Sequence, residues 1–206
     1  RKLGMKCAVV LSRDKWQSTQ GNLLTVYLMG AQVIMVDVED HWDLERHALE
    51  LCETLKSQGH HPHYIPVSGT TPQSCLGYVR GALELIQQLE ARKIRPDAIY
   101  TPFGTGGIFC SMLLTSREKG IQCPIIGISV NRREQECREY LDRWWKPVCE
   151  LLQCDPNRPK GMYEIHDQFI GAEYGTPTEA CFDAMMSMAS TEGIILDPVY
   201  SGKVFS

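Results

Sequence analysis

A cluster of glycines, Gly104-Thr105-Gly106-Gly107, is the segment whose residue types and spacing most clearly suggest chemistry. It follows a predicted β-strand at residues 97–101, and it precedes a predicted helix at 108–119. Glycines at such a turn let successive backbone amides converge, and a helix N-terminus adds positive potential. The segment therefore predicts a binding site for an anion such as phosphate, to which the Thr105 hydroxyl can also donate. The alternative is a tight turn that binds no ligand. A side chain at Gly106 would crowd the anion or strain the backbone.

Two common nucleotide-binding motifs do not fit this loop. The dinucleotide pattern GxGxxG requires its third glycine where this sequence has Phe109. The P-loop pattern requires a lysine followed by serine or threonine, and none follows here. The loop therefore does not indicate a dinucleotide or a nucleoside triphosphate.

Other chemistry-bearing residues have simpler interpretations. His60, His61 and His63 are close in sequence, but no carboxylate or thiol lies nearby to complete a metal site, so a solvated loop is favoured. Trp144 and Trp145 lie in an arginine-rich segment and could suggest base stacking. The acidic balance of the chain favours a packing role for both indoles. No metal site is predicted.

The elements that must position the glycine cluster alternate between strands and helices. Strands are predicted at residues 6–11, 31–38, 63–67, 97–101 and 124–130, and helices at 21–30, 42–59, 76–90, 108–119, 132–153 (broken near Pro147) and 178–191. Thr176 or Thr178 is the expected N-cap of the last helix, and residues 154–161 are expected to form a surface loop. This alternation is typical of an α/β fold in which helices cover both faces of parallel sheets.

Composition excludes several classes of protein. The chain has 206 residues, with 43% hydrophobic and 22% charged residues, which is a normal globular balance. A formal net charge of −4 argues against nucleic-acid or basic membrane-surface binding. No apolar run is long enough to span a bilayer. The nine cysteines contain no CxxC pair, which favours a reducing, cytoplasmic protein without a disulfide framework.

Three sequence blocks together resemble one enzyme family. They are Gln20-Gly21-Asn22-Leu23-Leu24 with Gly30-Ala31, the loop Phe103 to Gly107, and Tyr174-Gly175-Thr176-Pro177 followed by residues 191–203, TEGIILDPVYSGK. In this order they resemble the pyridoxal-phosphate enzymes that include D-cysteine desulfhydrase and 1-aminocyclopropane-1-carboxylate deaminase. The resemblance implies the tryptophan-synthase β-like fold with two α/β domains, of which residues 1–66 are part of the smaller and residues 67–206 part of the larger, cofactor-binding one.

The resemblance also implies roles for individual residues. Gly104, Thr105, Gly106 and Gly107 would hold the phosphate of pyridoxal 5'-phosphate. Tyr174 and Tyr200 would flank the cofactor ring and the substrate, where a phenol can pack its ring and move a proton. Ser201 would face the pyridine nitrogen. The cyclopropane deaminases have a glutamate at the position of Ser201, and the desulfhydrases have a threonine, so Ser201 favours an amino acid with a leaving group on Cβ.

The expected activity is β-elimination from a small amino acid, giving pyruvate, ammonia and the leaving group, as in D-cysteine desulfhydrase. Deamination of 1-aminocyclopropane-1-carboxylate, a cysteate sulfo-lyase activity and a non-catalytic phosphate-binding module remain alternatives. The family's "GNK-RKLE" block, which contains the Schiff-base lysine, has no counterpart in residues 1–206. The family's closing "TGG" segment is missing as well. The chain is therefore expected to be truncated at both ends and inactive by itself, whereas the resemblance implies that the full-length protein is a homodimer.

Overall fold

The computed structural model describes residues 2–13, 18–38, 41–157 and 161–206, with the backbone alone at residues 41 and 42. The chain divides into two compact units, Arg1–Gly69 and Thr70–Ser206. The sequence predicts a boundary at 66/67, three residues earlier. The assignment of these units to a smaller and a larger domain stays a prediction.

The first unit contains a two-stranded parallel sheet. Its elements are β1 (Ala8–Ser12), α1 (Gly21–Leu28), β2 (Gln32–Val36), α2 (His41–Ser57) and a 3-10 turn at Val67–Gly69. The register pairs Ala8 with Gln32 and Ser12 with Val36. The strand predicted at residues 63–67 is wrong, because residues 61–66 form neither helix nor strand. Pro62 and Pro66 cannot donate to a strand ladder, which explains the failure.

The second unit contains a three-stranded sheet with the order β3-β4-β5, and both strand pairs are parallel. Its elements are α3 (Pro72–Arg92), β3 (Ile99–Phe103), α4 (Gly107–Glu118), β4 (Ile125–Ser129), α5 (Glu134–Leu152), β5 (Tyr163–His166), α6 (Glu179–Glu192) and α7 (Ser201–Val204). The predicted alternation of strands and helices is confirmed here. Of the loop predicted at 154–161, residues 158–160 lie outside the described residues.

The central strand β4 explains how this sheet is covered. All five of its residues, Ile125 to Ser129, are buried, and successive side chains of a strand point to opposite faces. Both faces of the sheet are therefore packed, as predicted for parallel strands. The main core cluster joins α3, α4 and α5 to the sheet: Cys75, Phe103, Phe109, Cys110, Leu113, Leu114, Ile125, Cys137, Leu141, Trp145, Val148, Cys149 and Ile165.

Two further differences from the sequence prediction have local causes. Helix α5 runs without a break through Pro147. A proline in a helix interior costs about 3 kcal/mol, but Leu141 and Trp145 before it and Val148 after it are all buried and hold both halves on the core. The strand β5 was not predicted, since its four residues are too few to show a clear period.

Helix α6 begins as predicted. Thr178 is its N-cap, and the threonine hydroxyl accepts a hydrogen bond from the amide of Cys181 at 3.1 Å. Among the described residues, no helix combines the length and the hydrophobicity that a membrane span requires.

Candidate functional site

The glycine loop, Gly104–Gly107, joins the end of β3 to the start of α4. Gly106 is the N-cap of α4 and has a φ of +83°, a left-handed conformation that favours glycine. Gly106 and Gly107 are buried. Within the described part of the chain, the amides of Gly104, Gly106 and Gly107 donate no hydrogen bond. Buried amide donors are almost always paired in proteins, so this loop presents a set of donors suited to an external acceptor.

The carbonyl side of the glycine loop is, in contrast, fully engaged by the protein. Each of the four carbonyl oxygens has a donor: Arg132 Nη1 to Gly104 at 2.9 Å, Trp144 Nε1 to Thr105 at 2.7 Å, the Cys110 amide to Gly106 at 2.8 Å, and Ser111 Oγ to Gly107 at 2.8 Å. A cation would need those oxygens. The loop is therefore arranged for an anion.

Side-chain packing around the loop requires glycine at two positions. A Cβ added at Gly106 would lie 2.8 Å from Cζ of Phe103, and one added at Gly107 would lie 2.9 Å from Cγ2 of Thr70. The hydroxyls of Thr70 and Thr105 are 2.6 Å apart, and either can donate. The fold itself thus excludes larger residues here, independently of any ligand.

The two predicted tyrosines are brought together beside the loop. The Oη atoms of Tyr174 and Tyr200 are 2.6 Å apart, and their rings meet edge to face with centroids 6.2 Å apart. An added Cβ on Gly104 would lie 3.6 Å from Cε1 of Tyr200, which shows how close the phenol is to the glycine loop. Burial, followed by the hydrogen bond to Tyr174, raises the pKa of Tyr200. Tyr200 therefore stays protonated at neutral pH.

Asp197 organises the segment that carries Tyr200 and Ser201. Its Oδ1 accepts from the amides of Val199 at 2.9 Å and Tyr200 at 2.7 Å, and its Oδ2 from the amide of Ser201 at 2.9 Å. The Ser201 hydroxyl donates to Oδ2 at 2.5 Å and accepts from the Asp197 amide at 2.8 Å. Burial alone would raise the pKa of Asp197, but these hydrogen bonds outweigh it and lower that pKa. Sequence reasoning missed Asp197, although an Asp-Pro pair favours a turn in which the carboxylate accepts hydrogen bonds from the backbone amides that follow.

Lys203 is a buried cation next to this segment. Its side chain is fully buried, and Nζ donates to the carbonyl of Ile170 at 2.5 Å. Burial lowers its pKa. The contact joins α7, which follows Tyr200, to the segment that leads to Tyr174. Lys203 thus helps to keep the segment that carries Tyr200 next to the segment that carries Tyr174, a role that the sequence did not suggest.

Comparison with known proteins identifies the family. The profile of the pyridoxal-phosphate-dependent enzymes matches residues 1–206. The chain belongs to this family. The resemblance and the α/β fold expected from the sequence are both confirmed.

Several pyridoxal-phosphate enzymes or their homologues are similar to the whole chain. A Pyrococcus horikoshii protein with the provisional name 1-aminocyclopropane-1-carboxylate deaminase is 34% identical over 206 residues, which cover 100% of this chain and 60% of the relative. D-cysteine desulfhydrase of Serratia proteamaculans is 27% identical over 210 residues, which cover 100% of this chain and 62% of the relative. The crystal structure of a deaminase homologue matches with a TM-score of 0.88 and 32% identity, covering 99% and 60%. The chain thus spans about 60% of the length of these relatives.

The residues of this chain fit the family's cofactor. Pyridoxal phosphate carries a phosphate dianion. The amides of Gly104, Gly106 and Gly107 lie at a helix N-terminus without a partner among the described residues, while the carbonyls of the loop are engaged by other donors. Among the described residues, no group of three histidine, cysteine or carboxylate side chains could hold a metal ion.

Proposed function

We propose that the full-length protein is a pyridoxal-phosphate-dependent lyase that removes a Cβ substituent from a small amino acid. With D-cysteine as substrate, D-cysteine and water would give pyruvate, ammonia and hydrogen sulfide. The observation that carries the proposal is the glycine loop with Tyr200 packed beside it. The amides of Gly104, Gly106 and Gly107 donate to no partner among the described residues, whereas the carbonyls of the loop accept hydrogen bonds from the protein. This combination suits a phosphate-bearing cofactor with a phenol at its ring.

The chain contributes the binding and orientation of the cofactor. When bound, pyridoxal phosphate supplies an electron sink for the negative charge that develops at Cα. In our proposal the amides of Gly104, Gly106 and Gly107, with Thr105 between them, bind the phosphate. Ser201 would face the pyridine nitrogen, and Asp197 fixes the position of its hydroxyl.

The two tyrosines provide the proton. Because its pKa is raised, Tyr200 keeps its hydroxyl proton at neutral pH and acts as a donor, for instance to a departing Cβ substituent. The 2.6 Å contact between the Oη atoms allows Tyr174 to replace that proton. Tyr200 is 39% exposed, and Tyr174 is 54% exposed, so both phenols remain accessible to a substrate.

The substrate is proposed to be D-cysteine or a close analogue, on the basis of Ser201. A hydroxyl at this position, where the cyclopropane deaminases have glutamate, favours elimination. Deamination of 1-aminocyclopropane-1-carboxylate is the second candidate, and the provisional name of the Pyrococcus relatives favours it.

Three product assays on the full-length protein separate the candidates. Sulfide with ammonia from D-cysteine supports the desulfhydrase, ammonia from 1-aminocyclopropane-1-carboxylate supports the deaminase, and sulfite with ammonia from cysteate supports the sulfo-lyase. If the protein binds pyridoxal phosphate but releases no product from any of these, the non-catalytic binding module replaces the lyase. If it binds no cofactor, the proposal is refuted.

Three further properties belong to the same proposal. The protein is cytoplasmic, which is supported by nine cysteines that are all free thiols. It is a homodimer, as the family resemblance suggests, and sedimentation of the full-length protein tests this. Residues 1–206 alone are inactive, because they contain no match to the family's lysine block.

A further inference from the structure

Two side chains hold the glycine loop from its carbonyl side. Trp144 lies on α5 and donates from Nε1 to the carbonyl of Thr105 at 2.7 Å. Arg132 precedes α5 and donates from Nη1 to the carbonyl of Gly104 at 2.9 Å. Arg132 is itself held by Asn131 Oδ1 at 3.0 Å and lies 4.2 Å over the ring of Tyr140. Both side chains are half-buried.

The geometry of a peptide unit links these bonds to the amide side. In a trans peptide the C=O and the following N–H point in opposite directions, and no cis peptide is present among the described residues. The carbonyl of Thr105 and the amide of Gly106 belong to one peptide plane, so the bond from Trp144 fixes the direction of the Gly106 N–H. By the same argument, Arg132 fixes the direction of the Thr105 N–H.

Glycine makes this restraint necessary. Gly106 has access to backbone conformations that other residues lack, so the peptide between Thr105 and Gly106 can rotate at little steric cost unless a partner holds its carbonyl. Rotation would turn the N–H away from the anion and present a carbonyl oxygen, which repels phosphate.

We propose that Trp144 and Arg132 are positioning residues for phosphate: they hold the peptide planes of the glycine loop so that the amides face the anion. This inference rests on the proposed function, since it takes the loop as the phosphate site. It assigns a role in cofactor recognition to an indole and a guanidinium that need not contact the cofactor.

Trp145 provides a matched control on the same helix. Its Nε1 also donates to a backbone carbonyl at 2.7 Å, that of Pro156, and its side chain is only 3% exposed. Trp144→Phe and Trp145→Phe therefore remove the same kind of bond from adjacent positions, but only the first removes it from the glycine loop.

The test measures the affinities of the full-length protein for pyridoxal phosphate and for pyridoxal, which lacks the phosphate. Loss of one hydrogen bond corresponds to about a three- to tenfold change. We expect Trp144→Phe to lower the affinity for pyridoxal phosphate by this factor and to leave the affinity for pyridoxal unchanged. Trp145→Phe should change neither affinity. Equal ratios of the two affinities in wild type and Trp144→Phe would overturn the inference.

A second variant keeps the test decisive if Trp144→Phe does not fold. Arg132→Lys retains the positive charge but not the planar guanidinium, whose Nη1 donates to the Gly104 carbonyl and to Asn131 while its Nη2 donates to the Tyr140 hydroxyl. This variant should lower the ratio of the affinity for pyridoxal phosphate to the affinity for pyridoxal. An unchanged ratio would again overturn the inference. If wild type binds both ligands equally, the phosphate site itself is wrong, and the proposed function fails rather than the positioning role alone.

Discussion

Substitution of Gly106 by alanine tests how tightly the fold constrains the glycine loop. The new Cβ would lie 2.8 Å from Cζ and 3.1 Å from Cε1 of the Phe103 ring, on a backbone with a φ of +83°. The left-handed backbone costs about 1–2 kcal/mol, and overpacking of a buried ring costs about 1–3 kcal/mol. We expect the free energy of unfolding to fall by about 2–5 kcal/mol.

Urea unfolding of the full-length protein measures this loss, and Gly193→Ala is its control. Gly193 also has a positive φ, +68°, but a Cβ there would meet nothing within 4 Å. The control should therefore lose only the backbone contribution. Phe103→Leu in the same background should reduce the excess cost of Gly106→Ala, since the two residues are in contact. Equal losses in Gly106→Ala and Gly193→Ala would refute the clash with Phe103. Sequence reasoning alone attributed the need for Gly106 to the anion or to backbone strain, and the structure adds the ring of Phe103.

Three further outcomes are expected. Tyr200→Phe should retain the cofactor absorbance but lower kcat about 10²-fold; wild-type turnover would return Tyr200 to a packing role. Asp197→Asn should destabilise the protein at neutral pH. Because the pKa of Asp197 is lowered in the folded state, the difference in unfolding free energy between wild type and variant should be complete above the ordinary pKa of 3.8 and should vanish as the pH falls through the lowered pKa. A difference that persists at low pH would contradict this. Purified residues 1–206 should bind pyridoxal phosphate weakly and reversibly and release no product from D-cysteine, whereas turnover abolished by mutating a lysine within them would show that the catalytic amine lies in this chain.

The sequence predicts the frame of the site better than its internal contacts. Strands such as β3 and β4 consist mostly of apolar residues, so their approximate positions follow from hydrophobicity, and the glycine loop follows from its composition. The strand predicted at 63–67 and the break predicted at Pro147 were both wrong, and in both cases a proline was misjudged: Pro62 and Pro66 prevent a strand that was predicted, whereas Pro147 does not break the helix. Pro147 sits between buried residues, whereas residues 61–66 contain no buried side chain.

The contacts that hold the loop could not be predicted, because they join residues far apart in sequence. Trp144 bonds to a carbonyl 39 positions earlier and Arg132 to one 28 positions earlier. From the sequence the indole was interpreted as a packing residue. Only the folded chain shows that its N–H reaches the glycine loop, just as only the fold shows Lys203 at the carbonyl of Ile170.

The long sequence separation between Gly104 and Tyr200, whose side chain lies beside the loop, has a consequence for biosynthesis. Chains are made from the N-terminus, and domains begin to organise as they emerge. The glycine loop, Arg132 and Trp144 have all been synthesised once residue 144 has been added. Asp197, Tyr200 and Ser201 are added some fifty residues later. In the proposed function, the residues assigned to the phosphate are therefore synthesised before those assigned to the ring, and all of the cofactor-binding residues proposed in this chain are present only after Ser201 has been added.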